Sequence, residues 1–267
     1  MKNGPEYTQL RDFKIFPSTT GFFVKNKDRL QSAGSGTFVS LGKLRGILTC
    51  AHVIEAIKHQ SEVHLTIASA RQVTKSFVLN VRDHCDFLKF GPSCTANGPD
   101  LGFLKLPIPF FDKIGHLVSV KSLEIGRKDA FASAEPNEQS ATMVVGVIHE
   151  WMLDDQPTDK AFIPYLANVG EIAEDRIETS DNYDLFHFRP VPDEGFHSPT
   201  SYKGTSGGGL WRIYRNPNDS SEPVYRLIGV AFFQDAQKGL IICHGQTSLY
   251  VKLFDAIQQK WLDSSNH

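Results

Sequence analysis

The sequence predicts an all-β protein closed by a C-terminal α-helix, and two observations carry that reading. Short runs of β-branched and aromatic residues, punctuated by Gly, Pro, Asn and Asp, fall into two clusters. One long stretch near the end keeps a helical apolar period instead. The first cluster reads as strands at 36–40, 45–49, 62–67, 76–81 and 101–106. The second reads as strands at 142–148, 176–180, 183–189, 208–213, 224–233 and 239–243. Between the clusters, 121–139 replaces apolar alternation with Glu, Asn, Ala and Ser and reads as a linker. The helix is expected over 248–261, where Tyr250, Phe254, Ile257 and Trp261 stand at i, i+4, i+7 and i+11 and form one apolar stripe. A stretch at 53–58 is long enough for only a turn or two. Many short strands in two groups suit barrels or sandwiches, and composition does not choose between them.

The chain has 267 residues, of which 40% are hydrophobic and 22% charged, so a sizeable core can form and a disordered chain is excluded. Lys plus Arg total 28 against 30 Asp plus Glu, and a formal charge of −2 provides no field for nucleic acid or an anionic membrane. No apolar run approaches the roughly 18 residues of a membrane span. The opening 1–23 mixes Lys2, Glu6, Arg11, Asp12 and Lys14 through its length, unlike a signal peptide. Cys50, Cys85, Cys94 and Cys243 lack the close pairing of a structural zinc site. Reduced thiols, a cytoplasmic location, no metal and no cofactor are the expectations.

Chemistry concentrates around Ser206, in Tyr202-Lys203-Gly204-Thr205-Ser206-Gly207-Gly208-Gly209-Leu210. Glycines let a backbone come close to a ligand, and consecutive amides in such a turn can face a developing oxyanion. A serine hydroxyl needs a base to become a nucleophile. His52, just past the apolar run Ile47-Leu48-Thr49-Cys50-Ala51, has the right chemistry to take and return a proton near neutral pH. Asp100, immediately before Leu101-Gly102-Phe103-Leu104-Lys105-Leu106, can orient that imidazole; Asp83 and Asp86 are the reserve carboxylates. Each of the three is commonplace alone. Their order along the chain is what makes the set specific.

The ordered strings TCAHV, DLGFLKL and GTSGGGL resemble the three signatures of the chymotrypsin/trypsin-like serine proteases, in that superfamily's His, Asp, Ser order. The resemblance spans roughly 33–263. It implies two Greek-key six-stranded β-barrels with a C-terminal helix: an N-terminal segment 1–32, a first barrel 33–120, a linker 121–139, a second barrel 140–247 and a helix 248–263. It also implies His52 as general base and acid, Asp100 as its orienter, Ser206 as nucleophile, and the amides of Gly204 and Ser206 as the oxyanion hole. Thr205 stands where secreted members keep an Asp that pairs with a new N-terminus, and no Ile-Val-Gly-Gly start is present, so no zymogen switch is expected. Gly209 replaces a common Pro, which leaves open whether the oxyanion amides are preformed.

By the same resemblance, the substrate pocket maps to Thr200, Ser201, Phe232, Phe233 and His244, with Asp235 and Glu194 on nearby loops. The lack of an acid at Thr200 disfavours a preference for Lys or Arg, and the two phenylalanines suit a small or apolar side chain. The backbone of 232–234 is a candidate for pairing with substrate as an added strand. The acidic stretch 150–199 reads as a solvated loop face. The expected activity is endopeptidase hydrolysis of a polypeptide substrate through a Ser206 acyl-enzyme. The alternatives are a protease-fold binding or sensing module regulated by a protein partner, and an esterase on the same scaffold.

Overall fold

A computed structural model describes residues 15–27, 29–68, 74–91, 98–130, 139–151, 165–178, 182–191, 199–215 and 222–263 of the chain. Strands dominate, in two groups. The first contains β1 (Thr19–Asn26), β2 (Arg29–Leu41), β3 (Leu44–Thr49), β4 (Val63–Ala68), β5 (Thr74–Leu79), β6 (Asp86–Phe90), β7 (Leu101–Lys105) and the short β8 (Lys121–Ser122). They form an eight-stranded sheet in the order β5-β4-β1-β2-β3-β7-β6, with β8 running parallel beside β2. The second group contains β9 (Gln139–Val147), β10 (Tyr165–Glu178), β11 (Asp184–Pro190), β12 (Gly209–Arg215), β13 (Val224–Asp235) and β14 (Leu240–His244). These six close into an antiparallel barrel in the order β10-β11-β14-β13-β12-β9. The expected mostly-β architecture, consistent with a chymotrypsin-like fold, is therefore present, with one difference of detail. The first sheet's hydrogen-bonded path ends at β5 and β6, and among the described residues no ladder joins those ends.

The helices are α1 (Ala51–Ile57), α2 (Val81–His84), α3 (Ile108–Ile114), α4 (Leu123–Ala130) and α5 (Phe254–Trp261), the last led in by a π-helical turn at Ser248–Leu253. Two segments differ from the sequence reading. The stretch 1–32 supplies β1, which pairs with both β2 and β4 in the middle of the first sheet. The 121–139 linker holds β8 and α4, and α4 packs on the C-terminal helical segment through Gly126 beside Tyr250 and an Arg127–Asp255 ion pair.

One buried cluster runs through both halves, taking Phe22, Phe38, Ile47 and Phe103 from the first sheet, Met143, Trp211 and Leu227 from the barrel, and Tyr250, Leu253 and Ile257 from the C-terminal segment. A second cluster of Val144, Phe186, Phe188, Leu210, Ile228, Ile241 and Cys243 belongs to the barrel itself. The apolar stripe at 250, 254 and 257 is buried as its period requires, and Trp261 lies 5.6 Å from the Phe103 ring. No helix among the described residues is long and apolar enough to cross a membrane.

A buried carboxylate fixes where the C-terminal segment starts. Asp184, 3% exposed, accepts hydrogen bonds from the amides of Thr247 (2.9 Å) and Ser248 (2.6 Å) and from the Ser248 hydroxyl (2.7 Å). Removing it would leave buried donors without an acceptor. Asp184→Ala is expected to lower stability by about 3 kcal/mol, whereas Asp255→Ala, which breaks only the exposed pair with Arg127, is expected to cost about 1 kcal/mol or less. Urea midpoints of the two variants check this, and equal shifts would remove Asp184 from its anchoring role.

Candidate active site

His52 is the second residue of α1, which begins directly after β3. The helix buries Ala51, Val53, Ile54 and Ile57, so the remaining face carries the imidazole outward, 38% exposed. Asp100 sits at the entry to β7 and is 1% exposed. Its carboxylate takes two hydrogen bonds from one residue: His52 N–H donates to Oδ1 at 2.9 Å and His52 Nδ1–H donates to Oδ2 at 2.5 Å. A carboxylate only accepts, so the ring proton belongs on Nδ1 and Nε2 keeps its lone pair. The reserve carboxylates stand elsewhere, Asp83 against Arg82 and Asn80, and Asp86 3.8 Å from Lys105.

His244 is expected at the pocket but stands behind Asp100. It is fully buried and stacks on Phe232, with ring centroids 4.4 Å apart. Its Nε2 accepts the Asp100 amide proton at 3.0 Å, which assigns the remaining ring proton to Nδ1, a buried atom with no partner among the described residues. Burial pushes the imidazole pKa down to about 4, against the opposing pull of Asp100 and Asp184. The neutral ring thus holds the Asp100 backbone while the carboxylate holds His52.

Ser206 reaches the same seam from the barrel side. Ala231 carbonyl accepts from the Gly207 amide at 2.7 Å and from Cys50 Sγ at 3.1 Å. Gly34 is wedged between Val53, the neighbour of His52, and the Ser206 carbonyl. A hydrogen bond from Ser206 Oγ to His52 Nε2 is not among those of the described residues; such contacts commonly tighten when substrate binds.

Four successive carbonyls of the loop are hydrogen-bonded. Lys203 carbonyl accepts from His149 N–H (2.9 Å), Thr205 carbonyl from Gly208 N–H (2.7 Å), and Ser206 carbonyl from Ser35 N–H (2.7 Å). Gly204 carbonyl accepts from the Ser35 hydroxyl at 2.6 Å. In a planar trans peptide the N–H points opposite to the C=O, so anchoring the Lys203 and Thr205 carbonyls inward turns the Gly204 and Ser206 amides outward. Among the described residues these two amides make no hydrogen bond within the chain, while those of Lys203, Thr205, Gly207 and Gly208 are all used. Gly204 adopts φ +99° and Gly207 φ +88°, and a Cβ on Gly207 would lie 2.0 Å from the Ser35 carbonyl oxygen. Only glycine fits that approach. Thr205 turns inward, its hydroxyl donating to the Tyr202 carbonyl at 2.6 Å.

Beside Ser206 lies a pocket of ≈ 200 Å³ walled by Tyr202, Lys203, Thr205, Phe232, Phe233 and Gln234, with Ala231 and Ile241 behind. Phe232 and Phe233 are among its lining residues. Thr200 and Ser201 do not line it: the Thr200 hydroxyl and both their amides donate to Glu150, and these bonds, led by the hydroxyl, hold the Glu150 carboxyl below its ordinary range. Asp235 turns to Lys238, and Glu194 and Cys94 lie outside the described residues. The acidic stretch 150–199 is not simply a loop face: Glu171, Glu174 and Asp175 fall on β10, and β10 and β11 are strands of the closed barrel.

Cys50, His52 and Asp100 bring one ligand atom each within 4.8 Å of one another. Burial, then the Asp100 charge, push the Cys50 thiol well above its ordinary pKa, so the thiolate a metal would need is disfavoured.

The depressed His244 pKa has a thermodynamic sign. Between about 6.5 and about 4 the unfolded chain binds a proton at this residue that the folded chain refuses, so its contribution is complete above 6.5 and is lost as the pH falls. From pH 7 to pH 4.5 the parent is expected to lose about 2–3 kcal/mol more than His244→Gln, measured by urea unfolding. Parallel losses would mean that His244 is not held neutral.

No family model matches the chain, and no curated protein matches it. Among solved structures, one described as showing that aromatic interactions drive the coupled folding and binding of the intrinsically disordered Sesbania mosaic virus VPg protein is similar over 89% of this chain and 90% of that one, at 12% identity and a TM-score of 0.46. A likeness of that strength carries no argument here, and the fold rests on the strand order and the closed barrel described above.

Proposed function

We propose that this chain is a serine endopeptidase. The observation that carries the reading is the pair of neighbouring constellations at the seam: an imidazole oriented by a buried carboxylate, and a serine loop whose Gly204 and Ser206 amides have no acceptor among the described residues. In the first step Ser206 Oγ adds to the scissile carbonyl carbon while its proton passes to His52 Nε2. The carbonyl oxygen takes up negative charge against the Gly204 and Ser206 amides. His52 then delivers that proton to the departing amine as the C–N bond breaks, leaving an ester on Ser206. Water, deprotonated by His52, hydrolyses the ester and restores the hydroxyl. Asp100 keeps the proton on Nδ1 and stabilises the imidazolium that forms in each half-reaction.

Polypeptide binding has support of its own. Beyond Val230, β13 leaves β12, and among the described residues 233–235 pair in a ladder only with β14, which suits the addition of a strand on the other side. The adjoining pocket has an apolar body from Ala231, Phe232, Phe233 and Ile241, which suits a small or apolar side chain. A module dependent on a protein partner would suit a loop that must be rearranged; the four anchored carbonyls favour the autonomous enzyme instead. Free thiols at Cys50, Cys85 and Cys243 support a reducing, cytoplasmic setting.

Ser206→Ala is expected to abolish labelling by a fluorophosphonate probe and to lower kcat roughly 10⁴-fold or more. Equal labelling of variant and parent would move the nucleophile elsewhere. Asp100→Asn should keep the fold, seen by circular dichroism, and lose about 10⁴ in kcat because the ring takes the wrong tautomer. A fully active Asp100→Asn chain would contradict the assignment of the orienter.

A further inference from the structure

We propose that Ser35 is a positioning residue whose hydroxyl, reaching from the first sheet into the barrel, sets the direction of the oxyanion amides. The inference rests on the peptidase reading above. Ser35 lies on β2, opposite Gly21 of β1, and is fully buried. Its hydroxyl accepts from the Val147 amide of β9 at 2.8 Å and donates to the Gly204 carbonyl at 2.6 Å. Since one of its partners is a donor and the other an acceptor, the orientation of the hydroxyl proton is determined. The backbone of the same residue is also committed: Ser35 N–H holds the Ser206 carbonyl at 2.7 Å, and Ser35 carbonyl accepts from the Thr49 hydroxyl at 2.6 Å.

One residue therefore grips the serine loop at two points, one on either side of Thr205. Gly204 has no side chain to restrict it, and the peptides flanking such a residue turn easily unless their oxygens are tied. His149 ties the peptide before Gly204 and the Ser35 hydroxyl ties the one after it. Without that hydroxyl, the Gly204 carbonyl and the Val147 amide would be buried without partners, and a loop rotation that reaches other partners would carry the Gly204 amide out of line.

Ser35→Ala and Ser35→Cys, made in the full chain, test this against the parent. The readouts are steady-state cleavage of a fluorogenic peptide and inhibition by a peptide aldehyde, whose hemiacetal oxygen depends on the two amides. In Ser35→Ala, kcat is expected to fall about 10- to 100-fold with KM within about twofold, and the aldehyde Ki to rise in proportion. Ser35→Cys, retaining a weak donor of similar shape, should fall between. Should the alanine chain not fold, the cysteine chain decides by the same readouts. Parental kcat and aldehyde inhibition overturn the proposal, as does a loss confined to KM. A parent that neither cleaves peptide nor takes up fluorophosphonate removes the peptidase reading and this role together. An active, labelled parent matched by an equally active Ser35→Ala removes the role alone.

Discussion

A carboxylate buried at the boundary between two sheets is the constraint on which the site depends. Asp100 has almost no contact with solvent, and an unpaired charge in that position would cost several kcal/mol. Its stability there requires donors, and one residue supplies two of them, so α1 must begin where His52 N–H and Nδ1–H both reach the carboxylate. The backbone of Asp100 is held in turn by His244, whose neutral form is the only one that can accept its amide proton. Orientation of the His52 imidazole thus follows from solvation of a buried acid.

The barrel's contribution obeys a different rule, that of carbonyls held inward so that amides face out. The required contacts cross the seam at very short range, which is why small residues collect there. Gly207 packs on the Ser35 carbonyl, Gly34 on the Ser206 carbonyl and Val53, and Gly146 against Ser35 and Thr205. A Cβ on Gly34 or Gly207 would meet an atom inside 3.0 Å. The two halves are therefore coupled through backbone hydrogen bonds as well as through the shared apolar cluster, and a shift of either sheet would be felt at Ser206.

Much of this was legible in the sequence and some was not, for physical reasons. The three strings around His52, Asp100 and Ser206 could be read because their chemistry is local: a base after a strand, an acid before one, a serine among glycines. The C-terminal helix was legible because its stripe is periodic. Strand β1 escaped because Gly21 interrupts its apolar run; that glycine is required by Val147, Phe23 and Thr66 around it. Helix α4 escaped similarly, since Gly126 lowers helical propensity yet makes room for Tyr250. His244 and Ser35 were beyond reach of any local pattern, because the partners that give them meaning lie 144 and 169 residues away along the chain. For Thr200 and Ser201, family spacing pointed to the pocket, but Glu150 outcompetes it for their donors.

The most direct measurement of the central claim is a crystal structure of the chain reacted with a peptide boronic acid. The expected result is boron bonded to Ser206 Oγ, one boronate oxygen within hydrogen-bond distance of the Gly204 and Ser206 amides, and another facing His52 Nε2. Boron bound elsewhere, or on Ser206 with its oxygens turned away from both amides, would contradict it.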